Sequence, residues 1–301
     1  PDGTRHALAV AQAFVRNQGD AWAWTIDQFH RALDDLANRQ ATEEARDDNI
    51  EDYIALAATI GRQLGLMHAV LAQPTDDPAF APRLAEAGDV ARWIDRATGL
   101  AGRALDLVAE HGSWDSEQAQ ADADRLVDGR ELLMATLGRL GESGIGSPMT
   151  RIHGDFHLGQ VLVASGDAYI IDFEGEPTRP MEERREKASP IRDVAGLLRS
   201  IDYAAATILD QSNIVATRLA PARRLRLVTR LRQGAQRAFL AAWREATADI
   251  PGLDRGALLD FFMIEKAAYE VAYEAANRPS WTAIPLSGLS RIVTRLQREA
   301  Q

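Results

Sequence analysis

The chain has 301 residues, with 44 acidic and 34 basic side chains, a formal net charge of −10 and no cysteine. This length allows one large domain or two ordinary ones. The lack of cysteine excludes disulfides and thiolate metal sites, and the acidic balance argues against a nucleic-acid-binding protein. Because no signal peptide and no 18-residue apolar run is visible, we expect a cytoplasmic protein that does not span a membrane.

Most of the chain is predicted to be helical. Near the start, the apolar residues 8–15 are expected to form a strand, which ends before Asn17 and Gly19. Apolar residues at three- and four-residue spacing predict helices over residues 22–36, 52–72, 83–110, 115–141, 191–211, 218–247 and 255–277. The fold class is therefore α+β and mostly helical.

The one clear β pattern after residue 15 is a hairpin. Its strands are predicted over residues 161–164 and 168–173, with a three-residue link that contains Gly166. Asp155 lies in a short loop before the hairpin, and Asp172 ends its second strand. This layout suits phosphoryl transfer, which needs one carboxylate aimed at an attacking hydroxyl and other ligands that hold Mg²⁺.

Three residues are the candidates for that chemistry. Asp155 is the candidate to accept the proton of the hydroxyl group. Gln160 and Asp172 are the candidates to hold the metal, because amide oxygens and carboxylates are ligands that Mg²⁺ accepts. Glu174 is interpreted as a further metal ligand, as a hydrogen-bonding group of the loop, or as a solvated turn residue.

Three polar residues are interpreted as supports of the loop. His153 and His157 flank Asp155, and no third imidazole or cysteine lies nearby in the sequence. They are therefore expected to brace the loop rather than to bind zinc. Asp193 follows Pro190 at the start of a predicted helix, where it either braces the catalytic loop or caps the helix.

The last predicted helix carries a polar stripe formed by Lys266, Glu270, Glu274 and Asn277, and Trp281 follows it. Carboxylates that accept hydrogen bonds from hydroxyl groups, together with the face of an aromatic ring, suit an acceptor sugar. The alternative is a solvated helix face with one ion pair between Lys266 and Glu270. The spacing alone favours neither interpretation.

The motifs HGDFHLGQ at residues 153–160 and DFEGEP at 172–177 resemble those of the maltokinases, which have a protein-kinase-like, aminoglycoside-phosphotransferase-like fold. The combination is much more specific than HGD alone. The similarity spans nearly the whole chain, since it continues through the following segments: FVRNQGDAW at 14–22, SPIRDVAG at 189–196, RSIDYAA at 199–205, EKAAYE at 265–270 and NRPSW at 277–281.

The resemblance implies ATP-dependent phosphorylation of maltose at its anomeric hydroxyl, which gives maltose 1-phosphate. It implies that Asp155 is the catalytic base and that Gln160 and Asp172 bind Mg²⁺. Many maltokinases are fused behind a trehalose synthase, which makes the maltose. A trehalose synthase domain in the same chain or in a partner chain is therefore an expected partner.

The resemblance also divides the chain into four parts. Residues 1–18 would be the last N-lobe strand and the hinge, with Ala13, Phe14 and Val15 beside the adenine. Residues 19–150 would be the helical part of the C-lobe, and residues 151–177 the catalytic loop and the metal-binding hairpin. Residues 178–301 would form a helical C-terminal subdomain with the acceptor site.

One part of the family pattern is missing. Such kinases carry a phosphate-covering loop and a strand lysine in the N-lobe, but the two lysines of this chain, Lys187 and Lys266, lie far downstream. The chain is therefore expected to be a C-lobe without most of its N-lobe, with little kinase activity by itself. Two alternatives stay open: a glucosamine kinase, whose family shares the catalytic motifs, and a non-catalytic, pseudokinase-like binding module.

Overall fold

The computed structural model describes residues 13–38, 48–177, 179–210, 219–253 and 256–299. Within these residues the chain is mostly helical. The helices are α1 (Ala21–Asn38), α2 (Asp48–Leu71), α3 (Ala87–His111), α4 (Glu117–Asp128), α5 (Arg130–Glu142), α6 (Met181–Arg184), α7 (Ile191–Asp210), α8 (Pro221–Ala246), α9 (Gly256–Asn277) and α10 (Ala283–Glu299). The strands are β1 (Arg83–Leu84), β2 (Pro148–Met149), β3 (Val161–Ala164) and β4 (Asp167–Ile170).

The strands form two small antiparallel pairs, β1 with β2 and β3 with β4. The β3–β4 hairpin turns through Ser165 and Gly166, both with positive φ, which suits a two-residue turn. The start of the described chain is tied to this hairpin, because the N–H of Gln18 donates to the carbonyl of Val163 at 2.7 Å. The segment at Gln18 therefore lies alongside β3 as a very short third member of the hairpin.

The core depends on the close approach of α2 and α8, the most extensive helix pair in the described chain. Two glycines of α2 permit it. A Cβ at Gly61 would lie 2.2 Å from the backbone oxygen of Phe239, and a Cβ at Gly65 would lie 2.6 Å from the Cβ of Ala246. Any side chain at Gly61 would therefore force the two helices apart.

Helix α2 corrects the expectation that no segment is apolar enough to span a membrane. By length and composition alone, its segment Ile50–Leu71 passes that test, with a mean hydropathy of 1.4. In the fold, the side chains of Tyr53, Ile60 and Leu64 are buried, and the helix packs on α8. Packing between helices accounts for this apolar composition.

The helices predicted over residues 22–36, 52–72, 191–211, 218–247 and 255–277 are confirmed to within a few residues. The single helix predicted over 115–141 is wrong, because the structure has two helices there, α4 and α5. They meet at Gly129, whose N–H donates to the carbonyl of Arg125 at the end of α4. The helix predicted over 83–110 begins later, at Ala87, because Arg83 and Leu84 form β1. Helix α10 and the β1–β2 pair were not predicted. The second hairpin strand is shorter than predicted, and Asp167 lies in that strand rather than in the link.

The strand predicted over residues 8–15 lies mostly outside the described residues. Its last three residues, Ala13 to Val15, are not part of a strand, and Phe14 is 86% exposed. Hydrogen bonding to β3 begins three residues later, at Gln18.

We expect Gly61→Ala to lower the free energy of unfolding by about 1–3 kcal/mol, because the added methyl group meets a backbone carbonyl rather than a flexible side chain. Urea unfolding followed by circular dichroism measures this change. Gly138→Ala, on α5, is the matched control. A Cβ there meets nothing within 4 Å, so the change should be neutral or should stabilise the fold by up to about 1 kcal/mol. Equal effects of the two changes would contradict the close helix contact.

Candidate phosphoryl-transfer site

A buried carboxylate holds the loop that carries Asp155. Asp193 lies in the first turn of α7 and is 2% exposed. Its Oδ2 accepts a hydrogen bond from the backbone N–H of His153 at 2.8 Å, and its Oδ1 accepts one from Gly154 at 2.9 Å. Asp193 thus binds the two residues that directly precede Asp155.

The carboxylate is in turn held from the helical core. Nε2 of His68, on α2, lies 3.1 Å from Oδ2 of Asp193, and Nε1 of Trp243, on α8, donates to Nδ1 of His68 at 3.0 Å. Since an indole N–H only donates, Nδ1 of His68 is an acceptor, and the proton is on Nε2. Burial alone would raise the pKa of Asp193, but the hydrogen bonds from His68 and from the N–H of Gly154 keep this pKa below its ordinary value.

The two histidines of the loop have different environments. His153 is buried, and its Nε2 lies 2.8 Å from the carbonyl oxygen of Ile171, so it ties the loop to the end of the hairpin. His157 is partly exposed, its Nδ1 accepts from the N–H of Gly159, and its Nε2 is 4.0 Å from Oδ2 of Asp155. Burial lowers the pKa of His157, although the charge of Asp155 opposes this shift.

The predicted metal ligands Gln160 and Asp172 meet in the structure. Nε2 of Gln160 donates to Oδ2 of Asp172 at 2.9 Å. Asp172 has a positive φ of 63°, a conformation uncommon outside glycine, in which aspartate is among the enriched residues. The predicted ligand Glu174 is exposed, and its carboxylate makes no ion pair or hydrogen bond with the described residues.

This pair fits Mg²⁺ but not a metal held by protein alone. The described residues contain no group of three or more histidine, cysteine, aspartate or glutamate side chains placed to hold a metal ion. Mg²⁺ typically takes one or two protein oxygens and completes its shell with phosphate oxygens and water. The amide oxygen of Gln160 and a carboxylate oxygen of Asp172 are such a set, so Mg²⁺ would be held together with a bound nucleotide.

Lys266 contacts the candidate base, which was not predicted. Its Nζ lies 3.8 Å from Oδ1 of Asp155 and 5.0 Å from the centre of the Tyr269 ring. Asp155, Lys266, Tyr269 and Glu176 all line a cavity of about 40 Å³, which is room for one to three waters. Burial would raise the pKa of Glu176, but the charges of Lys266 and Arg179 outweigh it and lower that pKa to about 2.

The predicted sugar residue Glu270 does not pair with Lys266. Its Oε2 instead accepts two hydrogen bonds from the buried Arg199, from Nε at 3.1 Å and from Nη2 at 2.6 Å. Arg199 also donates to Asp202 at 3.1 Å. Oε1 of Glu270 has no partner among the described residues. The solvated-face interpretation of the stripe is therefore wrong at this position.

Glu274 is a buried, partly satisfied carboxylate. Its Oε1 accepts from the hydroxyl of Tyr203 at 2.7 Å and from Nη2 of Arg278 at 2.5 Å. Its Oε2 is buried and has no hydrogen-bond partner in the described chain. The ring of Tyr203 stacks on Trp281 with centroids 6.2 Å apart. Burial and the adjacent Glu274 carboxylate raise the pKa of Tyr203.

Other predicted site residues are not brought to this group. Asn277 is exposed, and its amide donates to the carbonyl of Tyr273 in its own helix. Ala13 and Phe14 are exposed, and their contact with adenine stays a prediction, as does that of Val15. Sequence reasoning missed Arg199 and Tyr203 and considered Lys266 only beside Glu270, although all three lie within segments that carry the family resemblance.

A larger, cationic cleft of about 670 Å³ adjoins the loop at Gly154 and Gly175. Eight basic and five acidic side chains line this cleft, in a chain whose net charge is −10. The basic residues are Arg83, Arg92, Arg96, Arg179, Arg184, Arg185, Lys187 and Arg192. Such a lining favours anions and disfavours a positively charged acceptor.

Residues 8–176 match the phosphotransferase enzyme family. This chain belongs to that family. The match covers the catalytic loop, the hairpin and the DFEGE motif, but it ends before the helices α7 to α10.

Named relatives extend the similarity to almost the whole chain. The chain is 29% identical over 283 residues to a glucosamine kinase of Streptacidiphilus jiangxiensis, with 92% of this chain and 56% of the relative covered. It is 25% identical over 288 residues to a glucosamine kinase of Mycolicibacterium smegmatis, with 95% and 63% covered. The chain therefore spans less than two thirds of the length of these curated relatives.

Solved structures share the fold. A glucosamine kinase in complex with glucosamine, ADP and inorganic phosphate has a TM-score of 0.74 to this chain, at 25% identity, with 94% of this chain and 63% of that chain covered. Another solved structure, a glucosamine kinase in crystal form A, has a TM-score of 0.73 to this chain at 26% identity. The fold is thus that of a kinase-like phosphotransferase. The assignment of the chain to a C-lobe, and the missing N-lobe, stay predictions.

We expect Asp193→Ala to lower the free energy of unfolding by about 3–5 kcal/mol, because it leaves two backbone N–H groups and the N–H of His68 buried without an acceptor. Urea unfolding measures the change. Asp193→Asn is the matched control and should cost less, since one acceptor oxygen is kept. A wild-type stability of the alanine variant would show that the loop does not depend on this carboxylate.

We expect Asp172→Ala to remove the gain in nucleotide affinity that Mg²⁺ provides, because this carboxylate would hold the ion that neutralises charge on the phosphates. Titration calorimetry of ADP with and without Mg²⁺, on the complete natural protein, measures it. Asp167→Asn, at the other end of the hairpin, is the control, and Glu174→Ala tests whether the exposed glutamate also binds the ion. An Asp172→Ala variant that binds Mg²⁺–ADP as tightly as the wild type would refute the ligand assignment.

Proposed function

We propose that the chain is the catalytic part of an ATP-dependent sugar kinase and that its acceptor is an amino sugar, with glucosamine as the first candidate. The observation that carries the proposal is the pairing of Gln160 with Asp172 after the loop that holds the base candidate Asp155, together with the contact of Asp155 with Lys266 of α9, one helical turn before the carboxylate of Glu270. The names of the relatives, and the glucosamine and ADP bound in one of them, support the same assignment.

The proposed chemistry assigns a separate task to each group. Asp155 accepts the hydrogen bond of the attacking sugar hydroxyl and orients it toward the γ-phosphoryl group of ATP. Gln160 and Asp172 would hold Mg²⁺, which neutralises charge on the phosphates when bound. Asp193, through the backbone of His153 and Gly154, fixes the loop so that the base does not drift from the hydroxyl.

The acceptor assignment depends on two open carboxylate oxygens. Oε1 of Glu270 and the buried Oε2 of Glu274 lack partners among the described residues. A bound ligand that donates hydrogens would satisfy them, and an ammonium group donates three. The ring of Trp281 lies beside this group, stacked on Tyr203 and 5.0 Å from the guanidinium carbon of Arg278. These features favour an amino sugar beside these carboxylates over one in the cationic cleft.

Maltose and a trehalose synthase partner receive no support from the relatives, which are named glucosamine kinases. The pseudokinase-like alternative would leave Asp155, Gln160 and Asp172 without a task. The close pairing of the last two at 2.9 Å therefore favours an active kinase. The expectation that this chain has little activity by itself remains a prediction, so the assay uses the complete natural protein.

We expect that protein to phosphorylate glucosamine with a kcat/KM at least ten-fold above that for maltose, measured by coupled ADP release. A site with buried groups that pair a polar substituent rejects acceptors lacking it, because those groups stay unpaired. Glu270→Gln should raise the KM for the sugar and spare that for ATP.

Asp155→Asn is the control for the assay, and it should lower kcat by about 10²–10⁴-fold with the fold retained. Faster turnover of maltose would restore the maltokinase interpretation. No sugar-dependent ADP release from the complete protein would refute the kinase proposal.

A further inference from the structure

Helix α9 carries several charged side chains, and each has a definite partner. Glu265 is buried and accepts from Nε of Arg96 at 2.7 Å and from Nη2 of Arg192 at 2.9 Å. One residue later, Lys266 turns to the catalytic loop and pairs with Asp155. This helix therefore touches the base directly, through the one lysine that it contains.

A purely structural role does not fully explain the ion pair of Lys266, because its partner Asp155 is the candidate base. The side chains of Lys266 and Asp155 are 29% and 19% exposed, and both line the small cavity at the loop. Asp155 is already fixed through its backbone, because the preceding residues are bound to Asp193. What that anchor leaves free is the rotation of the Asp155 side chain, and Lys266 is the described cation that limits it.

We propose that Lys266 is a positioning residue for phosphoryl transfer, which holds the Asp155 carboxylate in the rotamer that meets the acceptor hydroxyl. The proposal rests on the kinase function proposed above. In that reaction the acceptor O–H bond breaks and its proton passes to Asp155. An O–P bond forms, and ADP leaves with the electrons of the broken P–O bond.

A cation beside a base makes it a weaker proton acceptor, so the role needs a physical reason. In phosphoryl transfer, catalysis depends mainly on positioning and on electrostatic stabilisation of the transferred group. A fixed carboxylate serves the first need, and a positive charge close to the reacting oxygens serves the second. A neutral side chain at position 266 would provide neither.

The first test compares two substitutions in the complete natural protein. Lys266→Met keeps an unbranched apolar stem but loses the charge, and it should lower kcat by about 10- to 100-fold. The KM values for sugar and ATP and the melting temperature should stay close to those of the wild type. Lys266→Arg should restore part of kcat. It should not restore all of it, since a planar guanidinium differs in shape from an ammonium.

The chain offers a matched control, because it has only two lysines. Lys187 donates to the carbonyl of Pro78 at 2.8 Å, so Lys187→Met removes the same functional group from another part of the fold. We expect it to leave kcat unchanged. A Lys266→Met variant with wild-type kcat would overturn the proposal, as would a loss of kcat that simply follows a loss of folded protein.

The second test does not depend on activity. Amine-directed labelling followed by peptide mass spectrometry reports the two lysines separately. We expect Lys266 to label several-fold faster in Asp155→Asn than in the wild type, because its carboxylate partner is gone, while Lys187 labels at an unchanged rate. An unchanged Lys266 rate would overturn the pairing. If the wild type phosphorylates no sugar, the proposed function fails, and this labelling result still decides whether Lys266 holds Asp155.

Discussion

The hydrogen bonds of one buried carboxylate govern the geometry of the candidate site. Asp193 accepts hydrogen bonds from the backbone N–H groups of His153 and Gly154 and from the ring of His68. Because a buried charge is costly unless it is fully paired, the loop, α2 and α7 are held in one arrangement at this point. Trp243 extends the connection to α8. The position of Asp155 therefore follows from the packing of the helical core and not from the loop alone.

The close packing of α2 on α8 is part of the same constraint. His68 reaches Asp193 and receives the Trp243 hydrogen bond because Gly61 and Gly65 let the two helices approach each other closely. A wider helix spacing would separate the indole from the imidazole and leave two buried polar groups unpaired, at a cost of about 1–3 kcal/mol each. The glycines of a core helix thus contribute to the site, although neither lies in it.

The sequence predicted the parts of the site that are local in the chain. The HGD loop, the hairpin and the strand-end Asp172 lie within 22 residues of one another, so their motifs can be recognised from one short segment of sequence. Contacts between distant helices carry no such signal. Lys266 was considered only as a partner of Glu270, four residues away, because helical spacing shows neighbours on one helix and not what faces them. Arg199, the buried partner of Glu270, comes from α7. Helix α10, which packs against Arg199 at Gly288, was not predicted.

The two partly satisfied carboxylates of α9 bear on specificity. Arg199 fixes one oxygen of Glu270, and Tyr203 fixes one oxygen of Glu274. The other oxygen of each carboxylate has no partner in the described chain. Fixed acceptors cost stability while they are unpaired and regain it when a ligand donates to them. A sugar with fewer hydrogen-bond donors at these positions would leave the two carboxylate oxygens unpaired, so it would be a poorer substrate. Lys266, which contacts Asp155, lies one helical turn before Glu270, so the residue proposed to position the base and the carboxylates proposed to select the acceptor are on the same helix, α9.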